Sequence, residues 1–160
     1  MFTKIISGGQ TGVDRAALDL ALELGIPCGG WCPQGRRAED GPIDARYPLR
    51  ETPWWGYPQR TEWNVRDSDG TLILTRGTPD RGTVLTVKLA VEKSKPHLML
   101  DLSGPARPEE VRAWAEQHRV WQLNVAGPRE SSQPGVYAEA RRFLHAMLAP
   151  SGPTTSAGTP

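Results

Sequence analysis

The chain has 160 residues, of which 19 are basic and 18 acidic, for a net charge of +1. About 150 residues bury roughly 68–70% of their unfolded surface, enough for a self-sufficient core, so a single domain over residues 1–149 is expected. With so balanced a charge nothing demands nucleic acid or an anionic membrane as partner, none is expected, and any anion recognition has to be local.

The first strand is expected at 2–6, ending in Ser7-Gly8-Gly9-Gln10-Thr11-Gly12. A helix follows, with Val13, Ala16, Ala17, Leu20, Ala21 and Leu24 recurring at three and four and Gly25 as its stop. Residues 26–32 read as a second strand. The stretch 33–58 is rich in Pro, Gly and charge, and its length points to a functional or mobile connection, a candidate lid. A short helix is expected at 59–67, and Gly70 to Thr75 is a β-branched apolar run of the kind found in a buried central strand. Helices at 83–93, 108–118 and 135–148 alternate with strands at 96–101 and 121–126. The tail at 150–160 is Pro, Gly, Ser, Thr and Ala without periodicity, a composition that favours disorder. Strands separated by helices imply βαβ crossovers. The fold class is therefore α/β, Rossmann-like, with a mostly parallel sheet, helices on both faces and a ligand site outside the carboxyl ends of the strands. No apolar run nears the roughly 20 residues of a membrane span. Residues 1–6 run into glycines rather than a signal peptide's apolar region, which argues for the cytosol.

Three loops after strands carry candidate chemistry. Gly8, Gly9 and Gly12 allow backbone amides to approach an anion beside a helix N-terminus, with Gln10 between them and Thr11 adding a hydroxyl. The spacing is neither G-x-G-x-x-G nor a Walker A loop, and a tight strand-to-helix turn is the structural alternative. Asp14 suits the helix dipole and Arg15 could clamp an anion, or either could be solvated. Gly82-Thr83 at a helix start again offers amides and a hydroxyl, with plain capping as the alternative. Gly127, Arg129 and Ser131 follow the last strand and could complete the site or simply turn the chain. In the candidate lid, Arg36 and Arg37 could pin a phosphate, or belong to a solvated charged loop. His97, His118 and His145 have no spacing that gathers them as ligands, and C-G-G-W-C at 28–32 is neither a redox nor a zinc motif, so no metal site and no catalytic residue is assigned. Trp31, Trp54 and Trp55 could stack on a planar heterocycle or anchor an interface.

Four segments, S-G-G-Q-T-G-V-D-R-A-A-L-D, G-W-C-P-Q-G-R-R-A-E-D-G-P-I, R-T-E-W-N-V-R-D-S-D-G-T-L-I-L and L-N-V-A-G-P-R-E-S, together resemble the molybdenum carrier family. The resemblance runs in order from about Ile5 to Leu148 and leaves out only the tail. It implies a Rossmann-like domain of the wider superfamily that holds the lysine decarboxylase-like phosphoribohydrolases, whose members bind nucleotides or nucleotide-like ligands. It also implies an oligomer, and a cargo such as molybdenum cofactor (molybdopterin), a pterin bearing a phosphate. The phosphoribohydrolases carry P-G-G-x-G-T-x-x-E. Here Pro79-Asp80-Arg81 replaces the leading glycines and Thr86 stands in the glutamate's place, which weakens a hydrolase reading. The expected protein is a homo-oligomeric cofactor carrier that holds a phosphate-bearing nucleotide-like or pterin ligand at the glycine-rich loops. A nucleotide-processing enzyme and a nucleotide-sensing regulator are the rivals.

Overall fold

A computed structural model describes residues 1–150, so the expected tail lies outside the described residues from position 151 onward. Five strands form one wholly parallel sheet: β1 (Lys4–Ile6), β2 (Cys28–Gly29), β7 (Gly70–Thr75), β8 (His97–Asp101) and β9 (Gln122–Ala126). Their spatial order is β2-β1-β9-β7-β8. Five helices connect or flank them: α1 (Val13–Glu23), α2 (Tyr57–Asp67), α3 (Arg81–Glu92), α4 (Pro108–His118) and α5 (Val136–Leu148). This is the expected α/β arrangement.

Side chains alternate across each strand, so the two faces of the sheet bury different chemistry. Leu72, Leu74, Leu123, Val125 and Ile5 turn toward Ala17 and Leu20 of α1, Val111 of α4 and Leu144 of α5, which together make the main core. On the opposite side α2 packs against α3, where Val65, Leu89 and Ala90 form a smaller cluster. Between them the second face carries polar groups within the sheet itself: Asn124 donates to the Thr71 hydroxyl at 3.2 Å, and both residues are buried.

Two expectations change. Residues 26–32 are not one strand. Gly30 has φ 135°, and a Cβ there would stand 2.3 Å from the Ser7 carbonyl, so the chain bends away from the main sheet after β2. The continuation, β3 (Trp31–Cys32), pairs in parallel with β6 (Arg50–Glu51) instead. Likewise, residues 33–58 are not a loose lid. They include a small antiparallel pair, β4 (Arg37–Ala38) with β5 (Gly41–Pro42), and they bury Ile43, Tyr47 and Leu49 against Leu18 and Cys32. Those apolar residues occur without a regular period, which is why composition alone suggested a mobile connection.

Candidate functional site

The winding of the sheet decides where a crevice can form. From β1 the chain moves outward to β2, from β7 it moves outward to β8 on the other side, and β9 fills the position between β1 and β7. Loops leaving neighbouring strands in opposite directions part at the carboxyl ends of those strands. A polar cleft of about 60 Å³ lies there. Its walls come from Gly8 after β1, Asp14 of α1, Arg60 and Asn64 of α2, Thr83 and Thr86 of α3, and Asn124 and Gly127 of the β9 end. A larger apolar hollow of about 590 Å³ sits at the amino-terminal end of the sheet, walled by Phe2, Leu24, Ile26, Val120, Trp121 and Met147. Only Arg112 and Glu116 among its lining side chains are charged, and no crevice of the winding falls there, so the small polar cleft is the candidate site.

Arg60 reaches across the cleft from α2. Its Nη1 donates to the Gly8 carbonyl at 2.9 Å and lies 3.4 Å from Asp14 Oδ2. A Cβ on Gly8 would stand 2.3 Å from that nitrogen, so glycine is what lets the guanidinium lie on the loop. Asp14 is 6% exposed. Burial pushes its carboxyl up to about 6, with Arg60 and the Gln10 amide pulling in the other direction. Opposite, the Thr83 hydroxyl is buried without a hydrogen-bond partner in the protein. Its backbone N–H is already engaged by Asp80, the N-cap of α3, at 2.8 Å. The helix thus begins two residues before the expected position 83, and Thr83 is left as a cleft-wall hydroxyl rather than a cap. Thr86 Oγ1 donates to the Gly82 carbonyl at 2.9 Å. Asn64 holds the β3 bend by accepting from Trp31 N at 2.7 Å and donating to Trp31 O at 2.9 Å.

The expected site residues divide. Gly8, Asp14, Gly82, Thr83 and Gly127 line the cleft. Gly9, Gln10, Thr11 and Gly12 form the loop behind it, with several of their groups partnered inside the protein: Gln10 N donates to Asp14 Oδ2, Thr11 N to Gln10 Oε1, and the Gly9 carbonyl accepts from Arg15. Gly12 has φ 78°, and a Cβ there would lie 2.3 Å from the Pro128 carbonyl, so the β1 and β9 loops touch through it. Arg15 forms a two-nitrogen pair with Asp40, which holds the Asp40 carboxyl below the usual range. Arg36 is directed away from the cleft, donating to the carbonyls of Ile43, Asp44, Tyr47 and Leu49. Arg37, Arg60 and Arg129 gather on Tyr57, with guanidinium carbons 4.6, 5.3 and 5.4 Å from the ring centroid. Beside them Glu39 accepts from the Thr11 hydroxyl, from Ser131 N at 3.2 Å and from the Ser131 hydroxyl.

Arg60, Asn64 and Tyr57 escaped the sequence reading, and Thr86 entered it only as the residue in the place of the hydrolases' glutamate. Arg60 and Asn64 are four apart on one helix and therefore share a face, but only the packing of α2 against α3 tells which face meets the cleft. Among the described residues, no three His, Cys, Asp or Glu side chains converge as a metal site, and no helix is long and apolar enough to cross a membrane.

Fold and cleft define a doubly wound α/β protein with an anion-compatible crevice at its switch point. The model of the Circularly permutated YpsA SLOG family matches residues 5–148, and the chain belongs to that family. A crystal structure of a protein named putative molybdenum carrier protein, from Syntrophus aciditrophicus SB, is similar over 92% of this chain and 96% of that one, at 45% identity and a TM-score of 0.89. No curated protein matches the sequence.

Proposed function

We propose that this protein holds a phosphate-bearing nucleotide-like or pterin ligand at the switch-point cleft, as a carrier whose cargo is molybdenum cofactor. The observation that carries the reading is the buried Thr83 hydroxyl, unpartnered in a polar cleft that Arg60 also lines. A buried hydroxyl without a partner costs about 1–3 kcal/mol, which a ligand oxygen would recover. The volume of about 60 Å³ is far below the roughly 300–1,000 Å³ of whole-ligand pockets, so the cleft suits a phosphate-sized group. A planar ring system would lie outside it, on the side of Tyr57, whose ring centroid is 5.3 Å from the Arg60 guanidinium carbon. The name of the similar Syntrophus protein supports a molybdenum-containing cargo.

The test is calorimetric binding of AMP, GMP and a pterin phosphate to wild type and Thr83→Val, with native mass spectrometry and molybdenum analysis of gently purified protein. Weakening of about tenfold in the valine variant is expected. Unchanged affinity, or no binding by wild type, refutes the reading. A second reading, nucleotide hydrolysis, is favoured by Asp14, whose carboxyl titrates near 6 in the same cleft and could exchange a proton near neutral pH. Release of free base or phosphate by wild type but not by Asp14→Asn would select it. The half-exposed Trp54, Trp55 and Trp121 suit a homo-oligomer, and a light-scattering mass of one chain would count against that.

A further inference from the structure

We propose that Thr11, Arg129 and Ser131 form a second anion seat, apart from the cleft that takes the ligand's phosphate, and that the Glu39 carboxylate competes with a phosphate group for it. The inference rests on the reading of this protein as a binder of phosphate-bearing ligands, and adds where an anionic group sits and what limits its access. The donors come from the loops after β1 and β9, neighbours at the switch point, and they surround the carboxylate as they would surround a phosphoryl group. Oε1 accepts from the Thr11 hydroxyl and from Ser131 N at 3.2 Å; Oε2 accepts from the Ser131 hydroxyl and lies 4.0 Å from Arg129 Nη1. Hydroxyls, a backbone amide and a guanidinium are the donor set that recognises phosphate.

The charge balance favours a dianion over the single carboxylate. Three guanidiniums meet at Tyr57, and Asp14 and Glu39 answer two of them, at 3.4 and 4.0 Å. Arg37 donates to the Trp55 carbonyl and makes no ion pair among the described residues. Glu39 can also leave without dismantling its segment. Its neighbours are anchored separately, Asp40 by Arg15 at 2.8 Å, Ala38 by burial and Arg36 by four carbonyls.

The experiment is calorimetric titration of the full chain with inorganic phosphate in chloride buffer. Glu39→Gln, which keeps the shape, and Glu39→Ala are each expected to bind phosphate about tenfold more tightly than wild type. Asp44→Asn removes an exposed acid outside the seat and should leave phosphate affinity unchanged. Adding Ser131→Ala to Glu39→Gln should abolish the gain. The proposal is overturned if Glu39→Gln binds no more tightly than wild type, or if the gain survives Ser131→Ala. AMP separates the two readings. Binding of AMP by wild type with no phosphate gain in Glu39→Gln removes the seat and leaves the cleft reading standing; a phosphate gain with no AMP binding supports the seat alone.

Discussion

Replacing Asp14 with asparagine should reverse part of the pH dependence of stability. The folded carboxyl titrates near 6 against an ordinary value of 3.8, chiefly because burial disfavours its charge. Between those two values the folded protein holds the proton more tightly than the unfolded chain does. Stability therefore falls as pH rises through that window, and above 6 the loss levels off at about 3 kcal/mol. Asparagine carries no such titration. The hydrogen bonds it loses or gains with Gln10 and Arg60 shift the variant at every pH, so the informative quantity is how the gap between variant and wild type changes. From pH 4.5 to 8 that gap should move in favour of asparagine by about 2 kcal/mol, or about 4–8 °C in Tm for a domain of this size. Urea denaturation of both proteins across that range measures it. A gap that stays constant, or moves toward wild type as pH rises, refutes the claim that Asp14 is held by desolvation.

Three further outcomes follow from the same geometry. Thr83→Val should leave stability unchanged or raise it by about 1 kcal/mol while weakening phosphate-ligand binding, because the hydroxyl has no partner to lose; thermal melts with and without AMP check both halves. Arg36→Lys should expose residues 33–58 to limited proteolysis, since one ammonium cannot reach the four carbonyls that the guanidinium joins; a digestion pattern equal to wild type would contradict this. Gly12→Ala should cost about 3 kcal/mol or more, from positive φ plus a Cβ placed 2.3 Å from the Pro128 carbonyl, read as a fall in the urea midpoint.

Much of the layout was legible because local rules govern it. Gly70–Thr75 was readable as a buried strand from its β-branched apolar run, and Pro108–His118 as a helix with its proline at the start. The glycine loop after β1 was read as room for an anion or as a tight turn, and the contacts of Gly8 with Arg60 and Gly12 with Pro128 show the close packing that the turn requires. Residues 33–58 resisted reading because their order comes from Arg36 and from Ile43, Tyr47 and Leu49 meeting Leu18, contacts that leave no periodic trace.

By itself the sequence determined the parallel α/β framework and the post-strand loops where a ligand site had to be sought, since hydrophobic period and turn chemistry act over a few neighbouring residues. Only the tertiary structure decided which polar groups meet. Arg60 lies 46 positions from Asp14, and Ser131 lies 92 from Glu39, yet each pair shares a contact. Those meetings depend on the strand order that sets β9 between β1 and β7, and on the bend at Gly30 that sends the chain out of the sheet before α2 returns over it. Electrostatics follows the same division: a carboxylate acquires an unusual pKa from the burial and charges around it, and those surroundings are assembled only when distant segments pack.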